Sequence, residues 1–149
     1  MPTVTLREIT KETLRQILDL NVAASQQGFV ASNARSIAEA HFDPDHAWFR
    51  AIYVDETPVG FVMLYLDREQ PVYFMWRLMV DEHQQKKGYA RQAMHLVIDF
   101  VRTLPNATEL FVSYVPGEGS PGAFYEKLGF VDTGNVHDGE IVMRLALEP

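Results

Sequence analysis

The sequence predicts an α/β (α+β) fold, a mixed sheet of about seven strands flanked by about four helices. Three observations predict it. Apolar periodicity along the chain follows the order β-α-α-β-β-β-α-β-α-β-β, with two helices placed as crossovers in the second half. Val72 to Val80 is a nearly unbroken apolar run, the pattern of a central strand covered on both faces. The chain has 149 residues, 47% of them hydrophobic, which suits one domain with a sizeable core, residues 1–149.

Each element has a local reason. Val4 to Ile9 alternates apolar and polar residues and reads as a strand. Thr10 caps a helix from Lys11 to about Asn21, with Leu14, Ile17, Leu18 and Val22 at helical spacing. A second helix runs from Ala34 to Phe42, capped by Asn33 or Ser32 and followed by Pro44. Ala47 to Val54 and Val59 to Leu66 form a hairpin about Asp55-Glu56-Thr57-Pro58. Gly88 to about Leu104 is a helix with Ala93, Leu96, Val97, Phe100 and Val101 on one face, closed by Pro105. Glu109 to Val115 is a strand, residues 116–122 a Gly/Pro-rich loop, and Ala123 to Leu128 a short helix stopped by Gly129. Gly129-Phe130-Val131-Asp132 leads into a strand, and Gly139 to Leu147 makes the last one.

Charge and composition narrow the function. A net charge of -7 and a pI near 5.1 disfavour a nucleic-acid partner and give weak preference to a cationic substrate. The absence of cysteine excludes a disulfide scaffold, a thiolate nucleophile and Cys-ligated metal, and fits a reducing compartment. No signal peptide is visible, and no apolar run approaches the ~20 residues of a membrane span. A cytoplasmic protein without a membrane partner is expected. The five histidines show no metal-ligand spacing, so no metal is expected.

The most informative segment runs from Leu78 to Arg91: an apolar strand, a polar loop ending in Gly88, then a helix start. Helix N-terminal N–H groups lack intrahelical partners and carry partial positive charge, a natural phosphate site. Gly88 and Ala90 permit close approach, while Lys86, Lys87 and Arg91 place three cations within six residues of an otherwise acidic chain. A solvated loop before an ordinary helix is the plainer alternative. No G-x-x-x-x-G-K-[ST] or G-x-G-x-x-G is present. The second segment is Phe124-Tyr125-Glu126-Lys127-Leu128-Gly129-Phe130, whose tyrosine is either a core aromatic or a hydrogen-bonding catalytic group.

Together these segments resemble the GNAT superfamily of N-acetyltransferases. Gln85-Lys86-Lys87-Gly88-Tyr89-Ala90 is similar to its Q/R-x-x-G-x-G/A signature, and Tyr125 to Phe130 to its Y-x-x-x-G-F element. The two stand in the expected order, and the resemblance covers essentially the whole chain. Trp76 to Asp81, Tyr114 to Gly122 and Phe29 to Asn33 resemble the polyamine (spermine/spermidine) branch.

The resemblance implies a mostly antiparallel sheet in which parallel strands 4 and 5 splay to admit acetyl-CoA. It implies that Leu78, Met79 and Val80 pair with the pantetheine arm. It places Gln85, Lys86, Lys87, Gly88, Tyr89, Ala90 and Arg91 on the pyrophosphate and Lys127 at the phosphoadenosine end. Tyr125 becomes the general acid beside the thioester sulfur, and a strand N–H near Met79 a donor to the carbonyl oxygen. Many members carry Asn seven residues before the tyrosine; this chain has Glu118 there, with Ser120 nearby to take over the contact. Acceptor-binding candidates are Phe29, Asn33, Glu39, Tyr73, Trp76 and Tyr114, the aromatics through cation–π attraction and Glu39 through charge. Core packing is the alternative for each aromatic. Asp67, Glu69, Glu82 and Glu118 are open candidates for the base, beside a water-mediated route. The implied activity is direct acetyl transfer from acetyl-CoA to a primary amine, in particular a polyamine. Its rivals are a protein or peptide amine acetyltransferase and a non-catalytic acetyl-CoA sensor. Homodimers are common in such domains, though no residue here marks one.

Overall fold

The computed structural model describes residues 2–147. In chain order these form β1 (Val4–Arg7), α1 (Leu14–Leu18), α2 (Asn33–His41), β2 (Ala47–Val54), β3 (Thr57–Asp67), β4 (Val72–Val80), α3 (Tyr89–Arg102), β5 (Glu109–Tyr114), α4 (Gly122–Lys127), β6 (Val131–His137) and β7 (Glu140–Ala146). The seven strands make one sheet in the order β1-β2-β3-β4-β5-β7-β6. Every neighbouring pair is antiparallel except β4 with β5, which is parallel. This is the mixed, mostly antiparallel sheet with four helices that the sequence predicts.

The local differences have local causes. The Thr10 carbonyl takes both the Thr13 and Leu14 N–H groups in a turn, so α1 begins at Leu14 rather than Lys11. It ends early because the chain beyond it is tied to the end of β4: the Asn21 N–H donates to Asp81 Oδ1 at 2.8 Å, and Glu82 N–H to the Asn21 carbonyl. A turn of 3-10 helix at Ala24–Gln26 follows that tie. Ser32 is the cap of α2, its Oγ accepting from Arg35 N–H. Asn33 is already helical and buried. The β2–β3 turn shortens to Asp55-Glu56, and Pro58 sits within β3 opposite Tyr53, beside a register shift. On α3, Leu96 is 36% exposed and Met94 and Ile98 take the core instead, beside Ala93, Val97 and Val101.

Two layers cover the sheet. On one face α3 and α4 enclose Ile52, Val62, Leu64, Tyr73, Met75, Leu110, Val112 and Met143. On the other, α1 and α2 enclose Ala51, Tyr53, Phe61, Met63 and Met79. Among the described residues this second cluster takes no member from β5, β6 or β7, so that half of the face is left open. Arg77 pins α2 to β4, donating to Glu39 Oε1 at 3.0 Å and Ser36 Oγ at 3.2 Å. No helix of the described residues is long and apolar enough to cross a membrane.

The sheet is irregular where β4 meets its neighbours. Met63 faces Arg77 and Leu64 faces Met75, so Trp76 is an extra residue, a bulge in β4. With β5, only Phe74–Phe111 and Met75–Val112 are paired. Beyond the bulge β4 stays on β3 alone. Gly60 makes that close pairing possible, because a Cβ there would strike the Met79 carbonyl oxygen and the Val80 backbone. Gly60→Ala should therefore destabilise the fold by about 1–3 kcal/mol through a forced backbone shift. Urea denaturation reads this as a lower midpoint at unchanged slope; an unaltered midpoint would show that β3 and β4 yield freely there.

Candidate functional site

The splay of β4 from β5 opens a cleft of about 1480 Å³. Its floor follows from strand alternation. The Asp81 N–H bonds the Val59 carbonyl at 2.7 Å, and in an antiparallel ladder every second residue then turns its polar groups to the same neighbour. Met79 and Arg77 spend theirs on β3, whereas Leu78 and Val80 turn theirs into the cleft. The Val80 carbonyl accepts from Gln85 Nε2 at 2.9 Å. Leu78 N–H, Leu78 C=O and Val80 N–H thus form an unpaired edge. Of the strand N–H groups near Met79, those of Leu78 and Val80 face the cleft, while that of Met79 faces β3.

The loop from Gln85 to Gly88 ends this edge. Gln85 also bonds Gln26 Oε1 at 2.8 Å, so its amide fastens β4, the loop and the segment before α2 together. Lys86 and Gly88 adopt left-handed backbone, with φ of 64° and 82°. Such alternation turns consecutive N–H groups toward one concavity. Among the described residues no hydrogen bond engages the N–H groups of residues 85–91. Space for a ligand is real: a Cβ on Gly88 would meet nothing within 4 Å. Lys86, Tyr89, Ala90 and Arg91 line the cleft, as does Lys127 from α4. Lys87 does not, and its ammonium lies 3.3 Å from Gln84 Oε1.

Tyr125 is held at the cleft wall by the end of α4. Phe130 N–H bonds the Tyr125 carbonyl and Gly129 N–H that of Glu126, with Gly129 at φ 104°. This is the Schellman closure, and its usual apolar contact is Tyr125 against Phe130, ring centroids 5.7 Å apart. The spacing Tyr-x-x-x-Gly-Phe is thus one mechanical unit. Tyr125 is 6% exposed, with Tyr114 and Phe124 also around its ring. Burial pushes its phenol well above the ordinary value, and the charge of Glu140 adds to this. The proton is therefore in place throughout the neutral range.

Aromatic and acidic side chains also line the cleft. Tyr65, Phe74 and Trp76 line it, Trp76 edge-on to Tyr65, which His46 stacks from behind at 4.8 Å. Phe29, Tyr114 and Ser120 line the cleft, Phe29 lying over Gly117 and Gly119. Three expected acceptor contacts do not. Tyr73 is in the α3 core, 1% exposed, with its hydroxyl donating to the Pro105 carbonyl at 2.6 Å. Asn33 is turned inward, its amide on the Ile17 carbonyl and Met79 Sδ. Glu39 is engaged by Arg77 at 3.0 Å and Arg35 at 3.5 Å. Nor do Asp67, Glu69, Glu82 or Glu118 line the cleft; among the described residues its acids are Asp138 and Glu140. These two escaped the sequence reading because the β6–β7 turn that delivers them is remote in sequence. The alternation that puts Tyr65 beside Phe74 was the available signal for that pair. No group of three or more His, Cys, Asp or Glu side chains among the described residues is placed to hold a metal ion.

Relatives match this chain over nearly its whole length. The spermine/spermidine N(1)-acetyltransferase of Bacillus subtilis is 22% identical over 151 residues, spanning 94% of this chain and 96% of its own. The spermidine N-acetyltransferase of Vibrio cholerae, solved with CoA and spermine, superposes with TM-score 0.74 at 19% identity, covering 97% of this chain and 95% of that one. The ribosomal-protein-S18-alanine N-acetyltransferase of Escherichia coli gives TM-score 0.73 at 16% identity, covering 100% and 96%. Residues 11–130 match the model of the Acetyltransferase (GNAT) family, and the chain belongs to that family.

Proposed function

We propose that this protein is an acetyl-CoA-dependent N-acetyltransferase that moves the acetyl group directly to a primary amine, with a polyamine such as spermidine or spermine as the acceptor class. The reading takes the chain as one catalytic domain acting in the cytoplasm. One observation carries it: the unpaired edge of β4, the open N–H groups of residues 85–91 and the protonated Tyr125 face a single cleft. Acetyl-CoA supplies an activated thioester. Leu78 and Val80 offer strand-like hydrogen bonds to a pantetheine arm, and the loop with Lys86 and Arg91 offers charge-assisted ones to a diphosphate. Lys127 takes the phosphoadenosine end and Ser120 the contact that Asn makes in other members. Tyr125 holds a proton for the departing sulfur, and the Leu78 N–H faces the carbonyl oxygen where charge develops.

The polyamine acceptor rests on the Bacillus and Vibrio relatives and on the aromatic and acidic side chains that line the cleft. One feature favours a peptide amine instead: Arg35, well exposed in the cleft wall, suits a carboxylate on an acceptor. Release of CoA thiol across a panel of polyamines, diamines and peptides separates the two. Polyamine turnover supports the first reading, turnover with peptides alone the second, and binding without turnover a sensor.

Three outcomes are expected. Gly88→Glu puts a carboxylate into the anion site and asks a side chain for φ 82°, at a cost of about 1–2 kcal/mol. Calorimetry should show acetyl-CoA binding lost in a folded protein; retained binding would move the diphosphate elsewhere. Tyr125→Phe should lower kcat about 10²-fold with acetyl-CoA affinity little changed, and wild-type turnover would remove the acid role. Because the Tyr125 phenol is raised, its protonated form persists to higher pH, so kcat should not fall through the ordinary phenol value of about 10. A pH–rate profile showing loss there would contradict the assignment.

A further inference from the structure

Direct transfer to an amine needs a base as well as an acid, because an alkyl ammonium has no lone pair for attack. The acids that the sequence suggests stand outside the cleft, and the two that line it differ in how they are held. Asp138 sits at the tip of the β6–β7 turn, exposed and 3.4 Å from the His137 ring. Glu140 starts β7, is half-buried, and accepts a 2.9 Å hydrogen bond from Ser113 Oγ to its Oε1. Ser113 lies on β5 just past the last residue paired to β4, where the cleft begins. The register sets Ser113 opposite Val142, so Glu140, two residues along, shares its sheet face. That face of β5 and β7 is the one α1 and α2 leave uncovered. Among the described residues nothing bonds Glu140 Oε2.

Resting on the transferase reading above, we propose that Glu140, oriented by Ser113, is the general base that takes the proton from the acceptor ammonium. Glu140 and Tyr125 both line the cleft, and Glu140 stands near enough for its charge to act on the Tyr125 phenol, so one cleft holds a proton acceptor and a proton donor. The balance closes. The ammonium gives one proton to Glu140, and the freed lone pair forms the C–N bond. The C–S bond breaks, and the sulfur takes the Tyr125 proton. The nitrogen's second surplus proton restores the phenol, and Glu140 releases its own to solvent. The net products are the amide, CoA thiol and one proton. Transfer from an ammonium to a carboxylate is uphill, so attack must draw it forward, and free amine supplied by high pH would bypass it.

Glu140→Gln tests this with the best amine of the panel. At pH 7.5 kcat/KM for the amine should fall about 10²-fold, while acetyl-CoA binding by calorimetry and the melting temperature stay near wild type. Near pH 10, where an alkyl amine is substantially neutral, the variant should approach wild-type activity to within about tenfold. Other titratable groups of β5, α4 and the β6–β7 hairpin that line the cleft are Tyr114, Tyr125, Lys127, His137 and Asp138. Asp138→Asn removes a cleft carboxylate and should raise KM for a cationic amine, but it should leave kcat near wild type at both pH values, because Asp138 carries no proton in this scheme. Ser113→Ala, which frees the carboxylate without removing it, should show a smaller loss with the same recovery, and it carries the test if Glu140→Gln misfolds. Full activity of Glu140→Gln at pH 7.5, or an equal loss at both pH values, would overturn the base role while leaving the transferase reading intact. A wild-type protein that binds acetyl-CoA but acetylates no amine would overturn both.

Discussion

Two residue pairs, Phe74–Phe111 and Met75–Val112, join β4 to β5, and everything at the site follows from the pairing stopping there. Backbone N–H and C=O groups inside a sheet are ordinarily satisfied by the next strand. Past Trp76 those of Leu78 and Val80 have no strand to meet. A sheet that leaves such an edge open at its centre, rather than at its rim, holds a strand-shaped site for an extended ligand with amide groups of its own. The bulge at Trp76 and the intimate contact of β3 with β4 at Gly60 keep β4 turned toward β3 over this stretch.

Around that opening the protein brings both signs of charge together. The chain is acidic overall, yet Lys86, Arg91 and Lys127 line the cleft, and among the described residues the N–H groups of residues 85–91 beside it are unengaged. Aromatic rings and the carboxylates of Asp138 and Glu140 line it too. The supports are buried or multiply bonded: Gln85 ties three segments, Arg77 ties α2 to β4, and the Schellman closure at Gly129 holds Tyr125. Positioning by bonded side chains suits catalysis, which depends on groups fixed in advance.

The family and most of the motif residues that line the cleft were legible in the sequence because they belong to short, contiguous units. Gln85 to Arg91 forms its concavity by local backbone conformation, and Tyr125 to Phe130 closes on itself, so spacing alone reports them. Element order was legible for the same reason, periodicity being local. Which aromatic and acidic side chains line the cleft was not. Tyr73 and Trp76 are three residues apart in one apolar run. The bulge at Trp76 helps decide that one is core and the other cleft wall, and a bulge depends on the partner strand. Glu39 reads as a free acid until Arg77, on β4, claims it.

By itself the sequence determined the class of sheet, the crossover helices, the glycine loop before α3 and the tyrosine–glycine–phenylalanine unit, since each rests on residues within about one helix or loop of one another. Tertiary structure decided which faces are open. It withdrew Tyr73, Asn33, Glu39 and Lys87 from the cleft and brought in Tyr65, Phe74, Ser113 and Glu140. Those choices depend on register between strands far apart in the chain, where a shift of one residue exchanges the buried face for the open one.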